Sequence, residues 1–368
     1  MHDLLEGVVP FVICRVLKLT INKRGMKLEA FNHLIQNYKY GQEEIRNRPS
    51  PIKASHLKND KLRQSSSQIW LLMQLLPLLV VNRVPDIEKS LWWKAFKNVS
   101  EICRIALSEM ITSYDLLNLR WNIATFLIRM KKLDVRITPK MHHLVHYPYY
   151  ITLLGPLRQF WCMRFEGKHA YFKTVARTTG NFINVPKTLG KRHQYWLTHQ
   201  LTKKEGFLRQ EIAFSRSSKR VVFTTLEYWG QIASVVDKEH PQVFCLDWAE
   251  FNSTTRIKPL ESVLLCPMNG SIAFKFGMVV ALFYSMDMRQ VLIVCKMLLT
   301  KRFNQRYQAF EVETLKNNLV FNSSSLTTMK IFTLHKSSYN NGGHDQRSKT
   351  FIVSKENLKN HLLQCKQP

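Results

Sequence analysis

The chain has no Cys-x-x-Cys pair. Its seven cysteines, at positions 14, 103, 162, 245, 266, 295 and 365, are odd in number and scattered. That pattern argues against a disulfide framework and a zinc finger, and for a reducing compartment. Phosphate-cradling loops are missing as well. Neither G-x-x-x-x-G-K-[S/T] nor G-x-G-x-x-G occurs, so no small-molecule nucleotide cofactor has sequence support. Long apolar runs are absent. The longest, residues 69–81, contains Gln74 and Pro77 and falls short of the ~20 residues that span a bilayer. It reads as a buried core helix, with no membrane partner. The opening MHDLLEGVVPFVICR carries acids where a secretory leader carries positive charge. Acids are few beside bases: 26 Asp+Glu stand against 54 Lys+Arg, a formal net charge of +28.

An excess of that size favours a polyanionic partner, of which nucleic acid is the commonest. It is also concentrated. Residues 136–220 hold sixteen Lys/Arg and three acids, Glu166, Glu205 and Glu211. Apolar residues make up 45% and aromatics 11% of the 368 positions, enough to bury cores in two or three domains.

Residues 1–135 are low in glycine, and their Leu, Met, Trp and Ile recur at three- and four-residue spacing. They read as mainly helical, with helices near 12–19, 28–40, 68–81 and 87–107 and a further pair over 109–128. The polar segment 41–67, with Pro49, Pro51 and three serines, reads as a surface loop or ordered excursion. Beyond Lys204 short β-rich runs alternate with turn signals, at 220–225, 262–266, 273–283, 290–299, 307–312, 329–334 and 350–353, with a closing helix at 356–363. The spacing predicts a compact sandwich or small barrel. The fold class is therefore α+β. A helical region covers 1–204, a linker 205–218, and a β-rich domain 219–368.

One helix stands out, over 160–177. At about 100° per residue, Trp161, Phe165, Phe172 and Val175 fall on one side, and Glu166, His169, Lys173 and Arg177 on the side next to it. A lone carboxylate on a cationic face suits a metal ligand working beside a phosphate backbone. It equally suits an amphipathic helix whose Glu166 pairs with His169 or Lys173. The basic block that follows includes Lys187, Lys191 and Arg192 and can contact phosphates without reading sequence, or serve as a solvated helix end and linker.

Met1-His2-Asp3-Leu4-Leu5-Glu6-Gly7, TPKMHHLVHYP, GPLRQFWCMRFEGKHAYFK and KTLGKRHQ together resemble the C-terminal half of a DDE-type DNA transposase of the CACTA/En-Spm kind, or a domesticated descendant. The likeness covers roughly residues 1–200. It implies an RNase H-like core interrupted by a helical insertion, here residues 10–150. It implies that His2 matches the histidine of an Asp-x-x-His element and that Glu166 is the final metal-binding, catalytic carboxylate of the ancestor, with Mg²⁺ as its metal. Arg164, His169, Lys173, Arg177, Lys187, Lys191 and Arg192 then face DNA, Lys173 standing two turns after Glu166. In the family pattern two aspartates precede His2, so the chain is expected to be truncated and catalytically inactive.

Three other features have plainer readings. His142 and His146 are spaced as metal ligands on a helix, but no third ligand follows, and core or DNA-facing histidines fit better. Cys162, seven residues before His169, reads as a small buried thiol. Trp92, Trp93, Tyr147, Tyr149 and Tyr150 read as core aromatics rather than base-stacking platforms. The expected function is DNA binding in the nucleus without transposition. A protein–protein interaction module of the same origin and a metal-dependent nuclease completed by another chain are the alternatives, and homo-oligomerisation is left open. If sheet strands are missing, Trp161, Phe165 and Phe172 should expose apolar surface.

Overall fold

The computed structural model describes residues 2–23, 26–180, 182–202, 212–215, 228–236, 243–251, 255–266, 275–323, 330–340, 346–354 and 358. It is an α+β structure. A π-helical turn, Leu4–Val8, runs into α1 (Val9–Lys23), which is followed by α2 (Leu28–Gln36), α3 (Gln42–Ile45), α4 (Ala54–Lys58) and α5 (Ser66–Val80). Helix α5 is buried along most of its length. Ser65 and Gln68 close a reciprocal capping box at its start, and every position from Ile69 to Val80 except Trp70 is buried. Among the described residues no helix is long and apolar enough to cross a membrane.

Helix α6 (Leu91–Ala106) packs against α1, and α7 (Ser113–Lys132) packs against α6. Asn98 Nδ2 donates to Asn122 Oδ1 between these two helices at 2.7 Å. Of the two readings of 41–67, surface loop or ordered excursion, the second holds: the segment carries α3 and α4 and buries Ile52, Leu57 and Leu62. Its polar composition concealed those anchors. Asn32 on α2 holds Ile52 at both backbone groups, each at 2.8 Å. Short turns α8 (Pro139–His143) and α9 (Tyr147–Leu154) lead to a helical hairpin, α10 (Met163–Thr179) and α11 (Val185–Thr202).

The remaining described elements are α12 (Trp229–Val236) and eleven strands. Strands β1 (Ile212–Phe214), β3 (Ala249–Phe251) and β4 (Thr255–Ile257) form a three-stranded sheet, so β1 falls inside the stretch read as linker. The larger antiparallel sheet contains β2 (Val243–Cys245), β5 (Val263–Cys266), β6 (Lys275–Ser285), β7 (Gln290–Asn304), β8 (Ala309–Asn322), β9 (Ile331–Phe332), β10 (Leu334–Asn340) and β11 (Gln346–Ile352). Its order is β10-β11-β8-β7-β6-β5-β9, and β2 shares with β5 the edge of β6 that β7 leaves free. No closed barrel forms among the described residues, because β9 and β10 end the path unpaired with each other. The runs read at 220–225 and the helix read at 356–363 lie outside the described residues, apart from Leu358.

Sheet and helices share a core. Tyr307, Ala309 and Phe351 belong to the same buried cluster as α1, α5 and α6. Tyr307 donates to Asn82 Oδ1 at 2.6 Å, and Asn82 donates to Ser337 Oγ at 3.0 Å. His335 Nε2 lies 3.3 Å from Glu44 Oε1, both side chains almost wholly buried.

Candidate nucleic-acid interface

The N-terminal turn and α10 meet. His2 and Glu6, four residues apart, face each other with His2 Nδ1 2.6 Å from Glu6 Oε2. The other ring nitrogen, Nε2, lies 3.1 Å from Glu166 Oε1, across 164 residues of chain. Ser66, the first residue of α5, donates to Glu6 Oε1 at 2.7 Å. A line of polar contacts thus runs Ser66–Glu6–His2–Glu166, from the start of α5 to α10. The Glu6 carboxylate, by its hydrogen bond and its charge, raises the His2 pKa above 6.5, and Glu166 adds a smaller push. Ser66 and then His2 hold the Glu6 carboxyl below its ordinary value.

The TPKMHHLVHYP segment fixes this turn from the other side. Lys140 Nζ donates to the carbonyls of His2 and Glu6 at 3.1 and 3.2 Å. It passes so close to Gly7 that a Cβ there would lie 2.5 Å from Lys140 Cδ. Asp3 meets His143 Nδ1 at 3.3 Å and accepts from the Tyr147 hydroxyl at 3.4 Å. Burial, then Asp3, raises the Tyr147 phenol's pKa.

Glu166 itself is open, its side chain 47% exposed. It does not pair with His169 or Lys173, the local alternative; its partner is His2. Helix α10 begins later than the periodicity suggests, so Trp161 precedes it and packs edge-on against Trp70 of α5, ring centroids 6.1 Å apart. Phe172 and Tyr171 instead meet His193 and Trp196 of α11, and Lys168 Nζ sits 4.3 Å from the Trp196 ring centroid. That seam lies roughly opposite the Glu166 side of α10. His169, Lys173 and Arg177 are exposed and share the Glu166 side. Lys187, Lys191 and Arg192 are also exposed. Lys187 and Lys191 project from the side of α11 turned away from its seam, so the two sets flank the hairpin rather than merge into one face. Arg164's side chain lies outside the described residues.

None of the described side chains of α10 or α11 is buried. Trp161 and Phe172 are half-buried and Phe165's side chain lies outside the described residues; exposed apolar groups here include Phe160, Phe182, Ile183, Tyr195, Trp196 and Leu201. Cys162, read as a buried thiol, is exposed. His142, His143 and His146 are exposed rather than core, with His142 Nε2 3.3 Å from His146 Nε2. Trp93 and Tyr147 are core residues, whereas Tyr149 and Tyr150 are exposed.

Compared with protein-family models, with curated proteins and with solved structures, the chain matches none.

The roles of Glu6, Ser66 and Lys140 were not read from the sequence. The i,i+4 spacing of His2 and Glu6 was the one local signal; the others come together only in the fold. Two Mg²⁺ ions require several oxygen ligands, typically from more than one carboxylate. Among the described residues no group of three or more His, Cys, Asp or Glu is placed to hold a metal ion. Glu166 beside His2, whose second nitrogen is already taken by Glu6, does not fit that ion pair.

Proposed function

We propose that this chain is a transposase-derived, non-catalytic DNA-binding protein of the nucleus, and that it contacts DNA through the outer sides of the α10–α11 hairpin. The supporting observation is the hairpin itself. Residues 163–202 hold seven Lys/Arg and one acid, Glu166, on two helices with no described side chain buried in the body. That lone acid is engaged by His2, which leaves His169, Lys173 and Arg177 extending along the same side over about 12 Å of helix. Phosphates are the natural complement to such a rail, and the contacts carry no base information. The meeting of His2 with Glu166 supports the ancestral part of the reading, because the resemblance assigns both to one site.

Salt-dependent binding is the test. A fluorescein-labelled duplex should bind at 50 mM salt, with log K falling against log [salt] at a slope of about −4 to −6, as for roughly five to seven phosphate contacts. Charge reversal at Lys173 and Arg177 should lower that slope magnitude by about 2. Absence of binding at low salt, or binding indifferent to Lys173→Glu/Arg177→Glu, ends the proposal.

A further inference from the structure

Helix α7 has two apolar faces and only one of them is used. Leu119, Ile123, Phe126 and Met130 are buried against the core. On the solvent side Tyr114, Leu117, Trp121 and Ile128 are 67%, 64%, 62% and 54% exposed, and Ala124 among them is exposed as well. The five fall at successive spacings of three and four, the a/d repeat of a coiled-coil seam, over about 21 Å of helix. They span only about 80° of the helix circumference, narrower than the stripe of a helix that lies on a membrane or buries itself in a globular core.

The flanks are informative. The positions that border the seam are Ser113, Asn118, Arg120, Thr125, Leu127 and Lys132. Two are cations and none is an acid. A second copy of α7 would therefore set cation against cation or against neutral residues, never against a carboxylate. An opposing helix with Asp or Glu in its flanking positions gains both the apolar seam and the charge match.

We propose that the outer face of α7 docks an amphipathic helix from an acidic partner protein, packed along two heptads, with a large apolar side chain seated over Ala124. This surface is separate from the cationic hairpin and stands or falls apart from the DNA-binding reading.

The probes are a designed three-heptad peptide with Leu at a and d and Glu at e and g, its Lys-flanked counterpart, and vesicles of phosphatidylserine and phosphatidylcholine. The acidic peptide should bind saturably and gain helicity by circular dichroism. Leu117→Ser/Trp121→Ser should weaken it by about tenfold or more, with Tm and DNA binding unchanged because both side chains are solvent-exposed. The lysine peptide should bind at least about tenfold more weakly. The proposal is overturned if the acidic peptide fails to bind, if both peptides bind alike, or if the double variant binds like the wild type. It is equally overturned if the chain instead dimerises, or binds the vesicles, in a manner that Trp121→Ser abolishes.

Discussion

At the scale of single residues, the histidine at position 2 carries the most chemistry. Its raised pKa, caused first by Glu6, has a definite sign. The protonated ring is favoured in the folded state, so its stabilising contribution is fully present below about pH 6.5 and is lost as pH rises through the folded value. Docking of α10 on the N-terminal turn should loosen across that window. Hydrogen exchange at the start of α10 should accelerate beyond its intrinsic pH dependence as the pH rises above about 6.5, and Glu6→Gln should shift the His2 NMR titration back toward 6.5. An exchange rate that follows only the intrinsic pH dependence would contradict this. Lys140 offers a second check. Its ammonium holds two carbonyls of the turn, so Lys140→Met should cost about 1 kcal/mol in chemical denaturation. The pairing of His2 with Glu6 was accessible from spacing; Ser66 and Lys140 were not, because nothing local records a contact across 60 or 134 positions.

At the scale of elements, α5 and α10 illustrate opposite relations between pattern and burial. From Ile69 onward the run of α5 is apolar at every position but Gln74, so its burial follows from composition however the helix is rotated. Leu76 is fully buried, and Leu76→Ala should cost about 2–5 kcal/mol in urea unfolding. Gln74 on the same helix behaves differently. Its amide nitrogen is buried with no hydrogen-bond partner among the described residues, so Gln74→Met should be neutral or stabilising by up to about 1 kcal/mol. A loss as large as that of Leu76→Ala would mean that the amide has an essential partner. For α10 the period placed Glu166, His169, Lys173 and Arg177 on one side, and the structure keeps them there. It shifts the helix start and sends Trp161 to the body, because Trp70 offers an edge-on aromatic contact outside the helix. The stripe on α7 was hidden by the opposite effect: two apolar faces on one helix blur the 3.6-residue signal that separates inside from outside.

At the scale of the whole molecule, the sheet and the helices are joined through Tyr307, Ala309 and Phe351, which sit in the helical core, and through the buried Glu44–His335 pair. Phe351→Ala should therefore cost about 3–5 kcal/mol and lower the unfolding midpoint of helix and sheet together, read as coincident transitions by far-UV and near-UV circular dichroism. Separate transitions, with only the sheet destabilised, would show the two parts to be energetically independent. The α+β class, the helical front and β-rich rear, the buried core helix and the crowding of positive charge were determined by the sequence alone, because each depends on local periodicity or on composition that survives any arrangement in space. Tertiary structure decided the rest: that β9 and β10 leave the sheet open, that His2 reaches Glu166, and that α7 and the hairpin keep apolar side chains in solvent. Those outcomes depend on which distant surfaces meet, and a residue's own neighbours in the chain exert no force that selects among them.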